Sequence, residues 1–338
     1  MKAIQIIEEG RVLVIEREIP QIKKDEVLVK VKYVGFAALT SILFLGRNPM
    51  VKLPVTPGHE IGGIIELVGT SVPHHYKMGM ACTVNPYTNC GKCASCRNGR
   101  VNACEINETM GVQRDGAMAE YIAIPYNKLL TDGNISVRDF ALVESMSVGF
   151  HAVSRAEVTD LDYVMVIGCG MIGVGAIVRA GLRGAKVIAV DIDDKKLVLA
   201  KKLGASFTIN SKTHDLHEEI LKITGGFGTD VVIEAVGSPL TYVAAINEVA
   251  FSGRVVYIGY AKNEVSFQTK LFVQKELDIR GSRNALHSDF KAVMEYMKRQ
   301  LCPIDELISA IYPPEKAQEA LENWSANPGD VFRILIEF

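Results

Sequence analysis

Short runs rich in β-branched and apolar residues fill the first third of the chain. Glu26-Val-Leu-Val-Lys-Val-Lys-Tyr33 and Gly62-Gly-Ile-Ile-Glu-Leu-Val68 stand between Gly and Pro punctuation, which predicts a β-rich, barrel-like region to about residue 130. From about residue 160 the pattern changes. Apolar runs at Tyr163–Ile167, Lys186–Val190, Asp230–Glu234 and Arg254–Ile258 alternate with helical stretches, the signature of βαβ units and a parallel sheet buried on both faces. From roughly residue 288 a short amphipathic helix is followed by Val331-Phe-Arg-Ile-Leu-Ile-Glu-Phe338, a strand able to complete the sheet of the first region. No internal repeat or low-complexity segment interrupts this plan.

A chain of 338 residues exceeds what one hydrophobic core usually organises, so two domains are expected. The pattern places them at residues 1–152, 153–287 and 288–338, the last segment returning to the first domain. A formal net charge of −2 with 22% charged residues argues against nucleic acid or an anionic membrane as partner. The first residues are too acidic for a signal peptide and no run of 18 apolar residues occurs, so a cytoplasmic protein acting on a small molecule is expected.

The apolar run Tyr163–Ile167 leads directly into Gly168-Cys-Gly170-Met171-Ile172-Gly173. Gly168 suits a tight turn, Gly170 lets backbone approach a pyrophosphate, and Gly173 permits close packing of helix on strand. Asp191 closes the next strand, where a carboxylate accepts hydrogen bonds from the adenosine ribose and repels a 2′-phosphate; NAD is expected over NADP. Val236 and Ile258 lie at the ends of two further strands of the parallel sheet, where their backbones can face the nicotinamide half.

Seven cysteines are present, and four of them, Cys90, Cys93, Cys96 and Cys104, fall within fifteen residues. Two CxxC steps and a fourth cysteine suit a closed tetrahedral zinc shell with no open position, a structural site; a redox pair or free thiols are the alternatives. Lys92, Arg97 and Arg100 offset the charge of four thiolates. Cys82, Cys169 and Cys302 read as packing residues.

These segments together resemble the zinc-containing medium-chain alcohol dehydrogenases, in particular the sorbitol, threonine and sugar-acid dehydrogenase branch. The resemblance rests on Gly58-His59-Glu60, the cysteine lobe, Asp115-Gly-Ala-Met-Ala-Glu-Tyr121, the glycine fingerprint and Asp191, all in order. It implies an α/β protein in which a GroES-like β-rich catalytic domain, split between the two ends of the chain, accompanies a Rossmann doubly wound parallel-sheet domain. It implies a catalytic zinc held by a cysteine in a Cys-Gly-Ser-Asp motif, by His59, and by Glu144 or Glu60. It also implies an alcohol or carbonyl substrate, of polyol or sugar-acid class by virtue of Glu144, and a homodimer or homotetramer. Arg283 matches a family segment near nicotinamide and substrate; a substrate carboxylate or a surface ion pair would satisfy it.

One segment departs from the family. Where Cys-Gly-Ser-Asp is expected the chain reads Ala37-Ala38-Leu39-Thr40, and Ala37 cannot ligate zinc, which leaves His59, Glu60 and Glu144 as an oxygen-rich set expected to bind zinc more weakly. The same residues are what a compensated frame slip produces. Codons TGC GGC TCT GAC CTC AAT ACT for Cys-Gly-Ser-Asp-Leu-Asn-Thr, read one base late, give Ala-Ala-Leu-Thr-Ser-Ile-Leu once one pyrimidine is restored. Genuine substitutions of this kind are expected to reshape or destabilise the pocket. A zinc-independent reductase of the same fold, or a catalytically impaired NAD-binding protein, is the alternative to a zinc-assisted dehydrogenase.

Overall fold

The computed structural model describes residues 1–46, 51–327, 329 and 331–338, without the side chains of Ala38 and Leu39. These separate into two compact units, residues Met1–Ser145 with Leu286–Phe338, and residues Met146–Ala285.

The first unit is built on a seven-stranded sheet. Its order is Ala310–Tyr312, Ile334–Glu337, Glu26–Phe36, Glu60–Val68, Ala81–Val84 and Leu129–Thr131, with Tyr121–Pro125 also pairing to Glu26–Phe36. The strand from the 330s pairs antiparallel with the long strand near the start, Ile334 opposite Phe36 and Glu337 opposite Tyr33. Glu26–Phe36 pairs on its other side with Glu60–Val68, setting Gly35 opposite Glu60. Val27, Val29, Val31, Val34, Ile61, Ile65 and Ile336 fill one core beneath this sheet with Phe36 and Trp324.

Residues 37–44 leave the long strand and form the helix Ala38–Phe44, whose N-cap Ala37 has no side chain to cap it. Leu43 and Phe44 are buried and join the core of the first unit. Segment 37–43, expected to crowd a polar cleft, therefore turns Leu43 into the hydrophobic core beside the flanking Phe44, and Ala37 itself is buried.

The second unit holds a six-stranded, wholly parallel sheet in the order Phe207–Asn210, Lys186–Asp191, Tyr163–Ile167, Thr229–Glu234, Val249–Tyr257, Asp278–Gly281. Numbered along the unit, that is 3-2-1-4-5-6, the doubly wound order that reverses beside its first strand. Val164, Val166, Val187, Ala189, Val231 and Ile233 pack under helix Met171–Leu182 on one face, while Met165, Ile167, Ile188, Val190 and Val232 pack on the other. Burial on both faces is why these strands read as unbroken apolar runs. Among the described residues no helix is long and apolar enough to cross a membrane.

Candidate functional site

Three structural facts bring a group of titratable side chains together in the first unit. Gly58 adopts φ +102°, a left-handed conformation that glycine enters without the steric cost of a side chain. This turn delivers His59 and then Glu60, which opens the strand Glu60–Val68. Gly35 stands opposite Glu60, and a Cβ there would lie 2.1 Å from Glu60 Oε2; the missing side chain is the space the carboxylate occupies. Glu144 comes from the first turn of the helix Val143–Arg155.

Ligand atoms of His59, Glu60 and Glu144 all lie within 4.8 Å of one another, and all three residues are buried. His59 Nδ1 has no hydrogen-bond partner. A buried nitrogen without a partner is costly as it stands, and an imidazole gathered with two carboxylates is a donor set that suits a divalent cation. Burial pushes the Glu60 carboxyl up to about 7, with Arg333 opposing and Glu144 adding to the rise. Burial likewise lifts Glu144 to about 7 against the pull of the Tyr87 hydroxyl and Arg333. Burial lowers the His59 imidazole below its usual value, while Glu60 acts in the opposite sense. Two carboxyls that resist ionising together and an imidazole that stays neutral describe a site short of one positive charge.

Two residues the sequence did not single out complete the cluster. Arg333 is buried; its Nε lies 3.0 Å from Glu60 Oε2 and its Nη1 donates to the Phe36 carbonyl at 2.6 Å. The Nε and Oε2 atoms are close yet too misaligned to count as hydrogen-bonded, so the contact is an ion pair by distance. The signal was available, since Arg333 is a lone cation in an otherwise apolar strand-like run, a pattern that calls for a buried partner. Tyr87 is also buried and donates its hydroxyl to Glu144 Oε1; nothing in its local sequence announces that role. Ala37 directly follows Phe36, whose carbonyl Arg333 holds, and contributes only a methyl group.

The four lobe cysteines form a second cluster, with Sγ atoms likewise within 4.8 Å of one another. Backbone N–H groups point at the sulfurs: Cys90 N donates to Cys104 Sγ and Cys93 N to Cys90 Sγ, each at 3.3 Å. A hydrogen bond from Ser95, and further backbone N–H groups, draw the Cys93 thiol down to about 5. Burial and the neighbouring Cys93 push the Cys96 thiol the other way, up to about 11, so the four sulfurs at this spacing fit a tetrahedral zinc whose binding displaces the Cys96 proton.

In the second unit Gly168 has φ +93°. Gly170 caps the helix Met171–Leu182 with no side-chain hydrogen bond, and a Cβ on Gly170 would meet nothing. The helix N-terminus is thus open to an anion. Gly173 is different, since a Cβ there would sit 1.8 Å from the Gly168 carbonyl oxygen. Asp191 ends its strand with Oδ2 accepting from Cys169 N at 2.7 Å, so it fixes the glycine turn. Met171 and Ile258 are buried and Ile172 is half-buried, whereas Val236 is exposed. Glu234 Oε1 gathers the N–H groups of Val236 and Gly237 at 2.9 and 2.8 Å, organising the turn beside the point where strand order reverses. Arg283 lies on the surface of this unit, and Cys82 and Cys169 are buried.

Comparison with known proteins agrees with this construction. The alcohol dehydrogenase GroES-like domain matches residues 23–132, and the zinc-binding dehydrogenase domain matches residues 172–299. L-Galactonate-5-dehydrogenase of Escherichia coli K12 is 31% identical over 324 residues, covering 96% of this chain and 95% of that protein. Among solved structures, an alcohol dehydrogenase from Escherichia coli CFT073 complexed with NADH superposes with a TM-score of 0.92 at 27% identity, covering 100% of this chain and 99% of that one. A protein described as a zinc-binding dehydrogenase from Sinorhizobium meliloti 1021, bound to NADP, gives a TM-score of 0.92 at 28% identity with the same coverage. With both domains matched in order and near full-length identity of this size, the chain belongs to the zinc-type medium-chain alcohol dehydrogenases.

Proposed function

We propose that the chain is an NAD-dependent oxidoreductase that moves hydride between the nicotinamide and a secondary alcohol of polyol or sugar-acid class. The observation that carries this reading is the convergence of His59, Glu60 and Glu144 in one buried cluster, in a chain that also holds an intact dinucleotide turn. Cys90, Cys93, Cys96 and Cys104 would hold a structural zinc, and His59, Glu60 and Glu144 a second divalent cation. Such a cation supplies Lewis-acid polarisation of the substrate oxygen. The chain's own groups do the rest. Arg333 restrains Glu60 and Tyr87 restrains Glu144, while a hydroxyl or water chain would carry out the proton that leaves the substrate hydroxyl as its carbon gives up hydride to the nicotinamide.

Asp191 supports NAD, since its carboxylate stands at the end of the second strand and opposes a 2′-phosphate. The relationship to L-galactonate-5-dehydrogenase supports sugar acids and polyols as the first substrates to try. A homodimer or homotetramer in the cytoplasm is the expected setting. The test is a panel of polyols and sugar acids assayed with NAD and with NADP, alongside metal content per chain. Two metals and NAD-linked oxidation support the reading; tight NAD binding with one zinc and no oxidation of any alcohol replaces it with the impaired NAD-binding protein. Carbonyl reduction with one zinc replaces it with the zinc-independent reductase, the reading that Ala37 favours.

A further inference from the structure

The cysteine lobe and the His59–Glu60–Glu144 cluster are not independent features of the first unit. The lobe spans residues 90–104, and the segments entering and leaving it are zipped together. Met110 N donates to Pro86 O at 3.1 Å, Thr88 N to Glu108 O at 3.3 Å, and Glu108 N to Thr88 Oγ1 at 2.7 Å, with Tyr87 and Thr109 forming a β-bridge between them. Each side of this stem then touches the cluster. On the entering side Tyr87 donates to Glu144 Oε1, only three residues before Cys90. On the leaving side Met110, whose N–H is held by Pro86 O, carries the chain to the turn that presents His59. Gly111, which follows, is pressed on the turn that presents His59, because a Cβ there would lie 2.4 Å from Gly58 N.

The entering side is itself held from below. Lys128 Nζ donates to Tyr87 O at 2.7 Å, and Asn85 N donates to Lys128 O at 2.8 Å. The Tyr87 ring also meets Phe290 edge-on with centroids 6.2 Å apart. Tyr87 therefore has little freedom except through the stem, and the stem closes where the four cysteines converge.

We propose that Tyr87 and the Met110–Gly111 segment couple the two clusters, so that closure of the four thiolates around zinc raises the affinity of His59, Glu60 and Glu144 for a second divalent cation. Tyr87 is a positioning residue: it fixes one oxygen of Glu144 and so orients the carboxylate, as partners of metal ligands generally do. Linkage makes the effect reciprocal, so a cation on the His–Glu–Glu cluster must tighten the hold of the lobe on its zinc by the same factor. This inference rests on the proposal that both clusters take a metal.

The test uses the full-length chain with zinc in the lobe and Mn2+ as the probe of the cluster, followed by its electron paramagnetic resonance. Zinc retention by the lobe is read separately, by equilibrium competition with a chromophoric chelator in the presence and absence of Mn2+. The expected result is Mn2+ binding that weakens when lobe zinc is withdrawn, and zinc retention that strengthens when Mn2+ is added. Tyr87→Phe should keep one zinc per chain yet weaken Mn2+ binding by about tenfold or more, and should shrink the mutual effect towards none. Thr88→Val, which loosens the stem without touching the cluster, should reduce the mutual effect as well and stands in if Tyr87→Phe does not fold. Equal Mn2+ affinity with and without lobe zinc, or an undiminished mutual effect in both variants, overturns the coupling while leaving two metal sites intact. A chain that takes no Mn2+ or other divalent cation at its cluster overturns both the coupling and the second-cation part of the functional reading.

Discussion

Arg333 Nε lies 3.0 Å from Glu60 Oε2, with both side chains almost wholly buried. A buried ion pair adds little net stability compared with an apolar replacement of both partners, but removing one partner strands the other charge. Arg333→Ala should therefore destabilise the metal-free chain by ~3–5 kcal/mol, measured by urea unfolding. The same change makes the cluster more negative, so a divalent cation should bind more tightly to the variant and restore part of its stability. Loss of stability that added cation does not relieve would show that Arg333 acts mainly on the Phe36 carbonyl.

Protonation of the cluster has a definite sign. Glu60 and Glu144 are lifted from the ordinary carboxylate range to about 7 by burial, so the folded metal-free chain binds more protons than the unfolded chain between those limits. Their contribution to stability is full below the ordinary carboxylate pKa and is lost as pH rises through about 7. Melting temperature of the metal-free chain should fall across that window, and Glu144→Gln should flatten the fall. Because a bound cation needs the carboxylates ionised, its binding should release protons near neutrality. Titration calorimetry in two buffers of different ionisation enthalpy counts them.

Gly35→Ala tests the space reserved for the Glu60 carboxylate. With the added carbon 2.1 Å from Oε2, Glu60 must move away from His59 and Glu144, and the strand pair must spread or strain at a cost of ~1–3 kcal/mol. Cation binding to the cluster should fall while lobe zinc stays at one per chain, as read by metal analysis after dialysis.

Gly173→Ala tests the dinucleotide turn in the same way. The new carbon would overlap the Gly168 carbonyl oxygen at 1.8 Å, forcing helix Met171–Leu182 off its strand. NADH binding, followed by its fluorescence, should be lost. Gly170→Ala, with nothing nearby to meet, should fold normally and weaken NADH only where the pyrophosphate approaches.

Much of this was legible in the sequence, and the reasons are local. The glycine fingerprint, its preceding strand and Asp191 lie within one βαβ unit, so spacing alone assembles them. The four cysteines are likewise close in sequence. His59, Glu60 and Glu144 emerged only through family resemblance, because nothing in the periodicity brings residue 144 back to residue 59. Arg333 and Tyr87 were missed for the same reason. Their partners, Glu60 and Glu144, are distant in the chain and meet through sheet pairing and the return of the strand Ile334–Glu337. The apolar residues of segment 37–43 predict crowding of a polar pocket; the structure turns Leu43 into the core beside the flanking Phe44, a direction that composition does not reveal. Resequencing the gene across codons 37–43 decides whether the frame slip is real.

The return strand also sets an order of events during synthesis. Residues Met146–Ala285 contain every strand of the parallel sheet, so that unit can close as soon as it has left the ribosome. The other unit must wait, since its long strand Glu26–Phe36 lacks a neighbour, and Glu60 lacks its counter-charge, until residues 333–337 have been made. The nucleotide-binding half is thus finished first, and Glu60 gains its counter-charge only at the end.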